Sequence, residues 1–267
     1  MKIVLWIGNE ANQKALANKI NTIFPVGGII TETRQHKRKI TLSKVVEKTI
    51  EKIFLSSIAK AWWGMKKYYE KEYDNYPVTE SIDVENINCE AAYQFTKEKN
   101  PDLILVSGTR LIKEKMLSIH PGIGILNLHT GLSPYIKGAP NCTNWCIATE
   151  QYHLIGNTVM WIDSGIDSGN IATTEFTEFN GNEDLAAIHI KVMEHAHNLY
   201  LRAIKKIVNK ECPNIKQDEI AKGVTYYTKQ WELKQKINLV RNVKKFCKKI
   251  KSGDLEELKQ SVTIIKI

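Results

Sequence analysis

Short apolar runs and amphipathic stretches alternate along most of this chain. Lys2-Ile-Val-Leu-Trp-Ile7 is a continuous apolar run of strand length, followed by Gly8 and Asn9, and it predicts a strand buried on both faces. Residues 11–20 then place Ala15, Leu16 and Ile20 on one side of a helix. Further strands are predicted at residues 26–31, 102–106, 123–127 and 158–162, with another at 170–174. The run at 102–106 enters from the Asn100-Pro101 turn. Helical patterns separate these runs, which is the signature of crossover connections in a parallel sheet. The fold class expected is α/β: a mostly parallel sheet flanked by helices. Ligands of such sheets sit beyond the carboxyl ends of the strands, and the runs ending at Val106, Asn127 and Ile162 are expected to deliver site segments there. The turn after the first strand has only Gly8 where a dinucleotide fingerprint needs three glycines, so no dinucleotide site is expected.

Two helical regions stand out. Leu42, Val45, Val46, Ile50, Ile53, Phe54 and Ile58 repeat at helical spacing, followed by Trp62, Trp63, Tyr68, Tyr69 and Tyr73. The repeat predicts an amphipathic helix packed on the core. The aromatic group either joins that core or faces a partner subunit or a nucleobase. Residues 184–207 form a second amphipathic helix with His189, Met193 and His197 along one side. Those histidines have no acidic or cysteine partners in the pattern, so a ligand role is not expected. The organisation expected is a catalytic domain over residues 1–207 and a small C-terminal extension over 208–267. The extension holds Gly223-Val-Thr-Tyr-Tyr-Thr228, a lysine-rich helix and a short strand at 261–267.

Composition narrows the picture. Over 267 residues the chain is 43% hydrophobic and 25% charged, an ordinary globular balance. No run approaches about 20 uninterrupted apolar residues, and no longer hydrophobic region follows the first strand as a secretory leader would require. Cys89, Cys142, Cys146, Cys212 and Cys247 lack framework spacing. They read as free thiols of a reducing, cytoplasmic compartment, with Cys142 and Cys146 on one helix face and no metal site. The net charge of +9 is concentrated at Arg34-Gln-His-Lys-Arg-Lys39 and at Arg241, Lys244, Lys245, Lys248, Lys249 and Lys251. Such clusters are either solvated helix faces or attractors of phosphate. No interleaved aromatic pattern of an RNA-recognition module accompanies them.

The chemistry concentrates in two segments. Ile125-Leu-Asn127-Leu-His129-Thr-Gly-Leu-Ser-Pro134-Tyr-Ile-Lys-Gly138-Ala-Pro140 joins a strand to an Asn-x-His pair and a Gly/Pro-rich loop, and Ile162-Asp163-Ser-Gly-Ile-Asp167-Ser-Gly169 adds a carboxylate. An Asn amide can donate to an oxyanion, His can move a proton near neutral pH, and Asp can orient and charge-balance that His. Singly, each has a plainer reading, as a turn residue, a satisfied histidine or an Asx-turn. Their joint order points to acyl transfer.

In that order and setting the segments resemble the folate-dependent formyltransferase family, over roughly residues 1–205 and most closely from about 100 to 172. The resemblance implies a Rossmann-like sheet of the formyltransferase fold, Asn127, His129 and Asp167 as the catalytic triad and N10-formyltetrahydrofolate as formyl donor. It implies a folate pocket lined by Arg110, Leu111 and Ile112 on one side and by Asp163, Gly165 and Ile166 on the other. Tyr135, Lys137 and Gly138 are the residues expected to reach the acceptor. The segment Gly8-Asn-Glu-Ala-Asn-Gln13 lacks the phosphate-loop glycines of the family's glycinamide ribonucleotide enzymes. The tail after Ile207 is shorter than the β-barrel domain of its methionyl-tRNA enzymes. Its size and the phrase Asn-Leu-His-Thr-Gly-Leu-Ser-Pro-Tyr are similar to bacterial sugar N-formyltransferases, often dimeric. The expected acceptor is therefore a UDP- or dTDP-linked 4-amino-4,6-dideoxy sugar of surface-glycan synthesis, a pseudaminic-acid-type pathway being one possibility. A homodimer with no nucleic-acid or membrane partner is expected. The alternatives are methionyl-tRNA as acceptor, a binding protein on the same fold, or hydrolysis of the formyl donor.

Overall fold

The computed structural model describes residues 1–35, Thr49, Ile53 and residues 55–267. The basic run at 36–39, and Leu42, Val45, Val46, Ile50 and Phe54 of the apolar repeat, lie outside the described residues. The strands described are β1 (Ile3–Gly8), β2 (Val26–Glu32), β3 (Ser81–Val84), β4 (Leu103–Ser107), β5 (Gly124–His129), β6 (Ile136–Gly138), β7 (Gly156–Trp161), β8 (Ile171–Phe176) and β9 (Val224–Tyr226). The helices are α1 (Ala11–Ile23), α2 (Ser56–Glu70), α3 (Glu90–Lys99), α4 (Glu114–Leu117), α5 (Cys142–Ala148), α6 (Leu185–Val208), α7 (Leu233–Ser252) and α8 (Glu256–Gln260).

Seven strands form one sheet in the order β3-β2-β1-β4-β5-β7-β8. β3 through β5 are parallel, and β1, between β2 and β4, marks the point where the strand order reverses. The alternation along β1 explains its full burial. Ile3, Leu5 and Ile7 face a core built with Leu16 and Ile20 of α1 and with Leu199, Ala203 and Ile204 of α6. Val4 and Trp6 face the opposite core, with Phe95 of α3 and Met116 of α4. The Trp6 indole finds its hydrogen-bond partner in Thr96 Oγ1 at 3.1 Å.

Three expectations need correction. β7, read from the sequence as another strand of a parallel sheet, runs antiparallel to β5, and β8 antiparallel to β7. No helix connects β7 to β8; a loop over residues 162–170 does. Apolar content marks a buried strand but carries no direction, which the connection decides. The end of β7 at Trp161 therefore lies beside Leu126 in mid-strand, not beyond the carboxyl end of β5. β3, which the sequence reading passes over, alternates polar and apolar residues for only four positions, with Ile82 and Val84 turned to the Val4 and Trp6 core. Residues 261–267 form no strand. They run as irregular chain along β8, where Thr174 N donates to the Ile265 carbonyl at 2.9 Å.

Residues 208–267 are built into the same body. Leu239 and Phe246 of α7 are fully buried in a core shared with Trp145 and Ile147 of α5 and Ile188 of α6. β9 pairs in parallel with β6, and Ile215 bridges Ile171 at the start of β8. Among the described residues, no helix is long and apolar enough to cross a membrane.

Candidate active site

The carboxyl ends of β1, β4 and β5 open into a cleft of about 790 Å³, within the usual range for small-ligand sites. Its floor lies at the switch between β1 and β4. There Gly8 packs so closely that a Cβ would stand 2.8 Å from the Gly108 carbonyl oxygen.

β5 supplies the first two groups. Strand alternation puts Leu126 and Leu128 into the core and turns Asn127 and His129 to the other face, half-buried at the cleft. The Asn127 side chain lines the cleft. The chain after β5 is pinned by Thr158, whose hydroxyl donates to the Gly131 carbonyl at 2.7 Å and accepts from Ser133 N at 2.9 Å.

Asp167 comes from the loop between β7 and β8, which arches back over the sheet. It holds a left-handed conformation, φ 47°, uncommon for a residue with a side chain. Its Oδ1 lies 3.5 Å from His129 Nδ1, and its Oδ2 accepts from Gly138 N at 3.1 Å. The same loop folds on itself through Asp163, whose Oδ1 accepts from Gly165 N at 2.9 Å and from Ser168 Oγ at 2.6 Å. That turn presents Ile166, 45% exposed, as an apolar tip at the cleft.

Opposite this loop, Leu111 and Ile112 line the cleft beside Arg110. The Arg110 guanidinium is held by the Glu32 carboxylate at 3.1 Å and by the Glu85 carbonyl. The Glu32 carboxylate is wholly buried, and it also accepts from Arg34 Nε at 3.0 Å, Arg110 N at 2.9 Å and Ile87 N at 3.0 Å. Arg110 is thus a fixed cation at the rim rather than a free arm.

The structure separates the three expected acceptor residues. Gly138 lies in the cleft. Lys137 points into a neighbouring groove of about 590 Å³ with Lys216 and Lys222, its Nζ 3.4 Å from Gln217 Oε1. Tyr135 is not at the cleft: its ring packs on the tail-side core and its hydroxyl accepts from Thr263 N at 2.7 Å.

Four contributors had no local motif. Cys142, expected on a helix face, does lie there with Cys146, both buried. Its Sγ also comes within 3.5 Å of His129 Nε2, and burial pushes its thiol well up, so it stands as a neutral thiol. Glu32 reads in sequence as an ordinary strand-end residue. Gln217 and the Tyr226–Thr228 stretch arrive from the tail, held by Trp145, which stacks on Tyr226 at 4.2 Å and donates to the Ala139 carbonyl. Among the described residues no group of three or more His, Cys, Asp or Glu is placed to hold a metal.

The formyl transferase family model matches residues 25–204. The methionyl-tRNA formyltransferase of Clostridium perfringens (strain SM101 / Type A) is 34% identical over 123 residues, 46% of this chain and 39% of that relative. The chain thus spans about two fifths of the curated relatives it matches. Among solved structures, a likely sugar N-formyltransferase from Mycobacterium tuberculosis superposes with TM-score 0.57 at 14% identity, covering 91% of this chain and 87% of the other. The N-formyltransferase from Helicobacter canadensis, solved with folinic acid and dTDP-3-aminofucose, gives 0.54 at 15% identity, covering 91% and 81%. At these identities the superpositions speak for the fold.

Proposed function

Since the chain belongs to the formyl transferase family, we propose that it moves a formyl group from N10-formyltetrahydrofolate to the amino group of a nucleotide-linked 4-amino-4,6-dideoxy sugar. The observation that carries this reading is the meeting of Asn127, His129 and Asp167 in one cleft, with His129 Nδ1 3.5 Å from the Asp167 carboxylate.

The residues around the cleft fit a folate. Leu111, Ile112 and the Ile166 tip offer apolar walls on opposite sides. The self-bonded turn at Asp163 and Gly165 shapes one of these walls. Arg110, fixed by Glu32, is suited to an anionic tail. When bound, the donor supplies an activated formyl group; the rest falls to side chains. His129 takes a proton from the acceptor amine as its nitrogen bonds to the formyl carbon, and returns that proton to the folate N10 as the bond from N10 to the formyl carbon breaks. Asp167 orients the ring and stabilises it once charged. The Asn127 amide donates to the negative charge that develops on the formyl oxygen, an interaction worth about 2.7–4 kcal/mol per donor. The raised Cys142 thiol contributes no second base.

The sugar acceptor is supported by a tail packed into the main core and by sugar N-formyltransferases that share the fold over most of this chain. The lysine groove beside the cleft would suit a diphosphate. Methionyl-tRNA is the second reading, favoured by the identity to the clostridial enzyme over nearly half of the chain.

The test is formyl transfer from N10-formyltetrahydrofolate to a panel of UDP- and dTDP-linked 4-amino sugars, with methionyl-tRNA in parallel. Turnover on a sugar is expected, with Asn127→Ala, His129→Ala and Asp167→Ala each lowering kcat by about two or more orders of magnitude at unchanged melting temperature. Near-normal turnover by His129→Ala would overturn the mechanism. Turnover confined to tRNA would overturn the acceptor.

A further inference from the structure

Asp167 sits in a backbone conformation that costs a residue with a side chain, on a loop of which much is exposed. Something must hold it. From its own loop it receives little, because the internal hydrogen bonds there converge on Asp163. The restraint arrives from a residue fifty positions later. Gln217, 7% exposed in the short turn after β8's bridge partner Ile215, donates from Nε2 to two carbonyls at once: Asp167 O at 2.7 Å and Gly169 O at 2.8 Å. These bonds pin the carbonyl of the left-handed residue itself and that of the second residue after it. The Gln217 Oε1 is in turn met by Lys137 Nζ at 3.4 Å, which fixes the amide's orientation with its NH₂ toward the loop.

A carbonyl pair can be bridged in this way only by a donor with two N–H groups on one atom, and the Gln side-chain amide is such a donor. A carboxylate of the same shape would present acceptors to acceptors.

We propose that Gln217 is a positioning residue: its amide clamps the backbone at Asp167 and just after it, and so sets the carboxylate against His129. Gln217 does not reach the reacting atoms and acts through Asp167. The kinetic part of this inference rests on the role given to Asp167 above; the structural part does not.

The experiment therefore has two arms, each with Gln217→Ala and Gln217→Glu. In the first, hydrogen exchange is followed by mass spectrometry on the full-length protein, with no acceptor present. Peptides covering residues 163–169 are expected to exchange about tenfold faster in both variants, the effect of losing bonds of ordinary strength, while peptides from β1 and α6 are unchanged. Wild-type exchange at 163–169 in either variant would overturn the clamp. Protection retained in Gln217→Glu alone would assign the role to side-chain volume instead.

The second arm measures transfer on the panel acceptor that gives turnover. Gln217→Ala is expected to lower kcat about tenfold or more with the KM for formyl donor within about twofold. In the double variant Gln217→Ala/Asp167→Asn the loss should be no greater than in Asp167→Asn alone, because both changes remove one contribution. Multiplying losses would overturn action through Asp167. Full turnover by Asp167→Asn would overturn the role assigned to Asp167, while the exchange result would still decide the clamp.

Discussion

At Gly131 a single methyl group decides whether the His129 ring can keep its place. A Cβ there would stand 2.5 Å from His129 Nε2 and 2.8 Å from Cys142 Sγ, closer than van der Waals contact permits. The backbone conformation of Gly131 is not left-handed, so the obstacle is the neighbours alone. We expect Gly131→Ala to lower kcat about tenfold or more and to leave the melting temperature nearly unchanged. Wild-type kcat in that variant would mean that the ring position tolerates displacement. At this scale the sequence was informative wherever a residue's role is local. Asn127 and His129 are two apart on a strand and must share a face, and Asp167 lies in a turn-rich segment. It was silent on groups whose role depends on distant chain. Cys142 reaches His129 through the fold of the loop between β5 and α5, and Tyr135 turns away from the cleft because the Thr263 N–H is waiting for its hydroxyl.

Among the elements, α6 carries the clearest dependence on pH. Its apolar face is interrupted by two fully buried histidines. His189 donates from Nε2 to Asn144 Oδ1 at 3.0 Å, and burial pulls its pKa down to about 4. His197 accepts at Nδ1 from Lys19 Nζ at 3.5 Å; burial, and then the neighbouring ammonium, hold its pKa well below the ordinary value. Both rings are neutral in the folded protein and titrate near 6.5 once unfolded. Below about pH 6.5 the unfolded chain therefore binds more protons than the folded one, and stability is present above that pH and lost as pH falls toward the folded values. The loss should approach about 2 kcal/mol for His189 between about pH 7 and about pH 5, with His197 acting in the same direction. Urea unfolding at the two pH values would register it as a lower midpoint at the acidic one, and equal midpoints would refute it. The 3.6-residue period made α6 legible from residue 184 onward, and the apolar runs marked β1, β4 and β5. Strand direction was not legible, because β5 and β7 have similar apolar patterns although they run in opposite senses.

For the whole molecule, the boundary expected near residue 207 does not separate two bodies. The appendage was expected because the family resemblance and the helix over residues 184–207 end there, yet Leu239 and Phe246 beyond it are wholly buried against α5 and α6. The Asp167 loop depends on this packing twice, through Gln217 on the Asp167 backbone and through β9, which pairs with the strand whose Gly138 N–H meets the Asp167 carboxylate. The last residues matter in another way. β8 is the outermost strand of its sheet, and an outermost strand offers unpaired backbone groups to any chain that drifts by. Here two stretches of tail occupy that margin, Ile215 opposite Ile171 and Ile265 opposite Thr174. Removing residues 262–267 would strip half of the cover from β8, leaving Thr173 and Thr174 without their bonds to Ile265. We expect that deletion to leave a folded protein that self-associates as its concentration rises, visible by light scattering at protein concentrations where the full chain is monodisperse. An unchanged scattering profile would rule this out. The irregular terminal segment then acts as a guard against colloidal failure, keeping the sheet from growing into its neighbours.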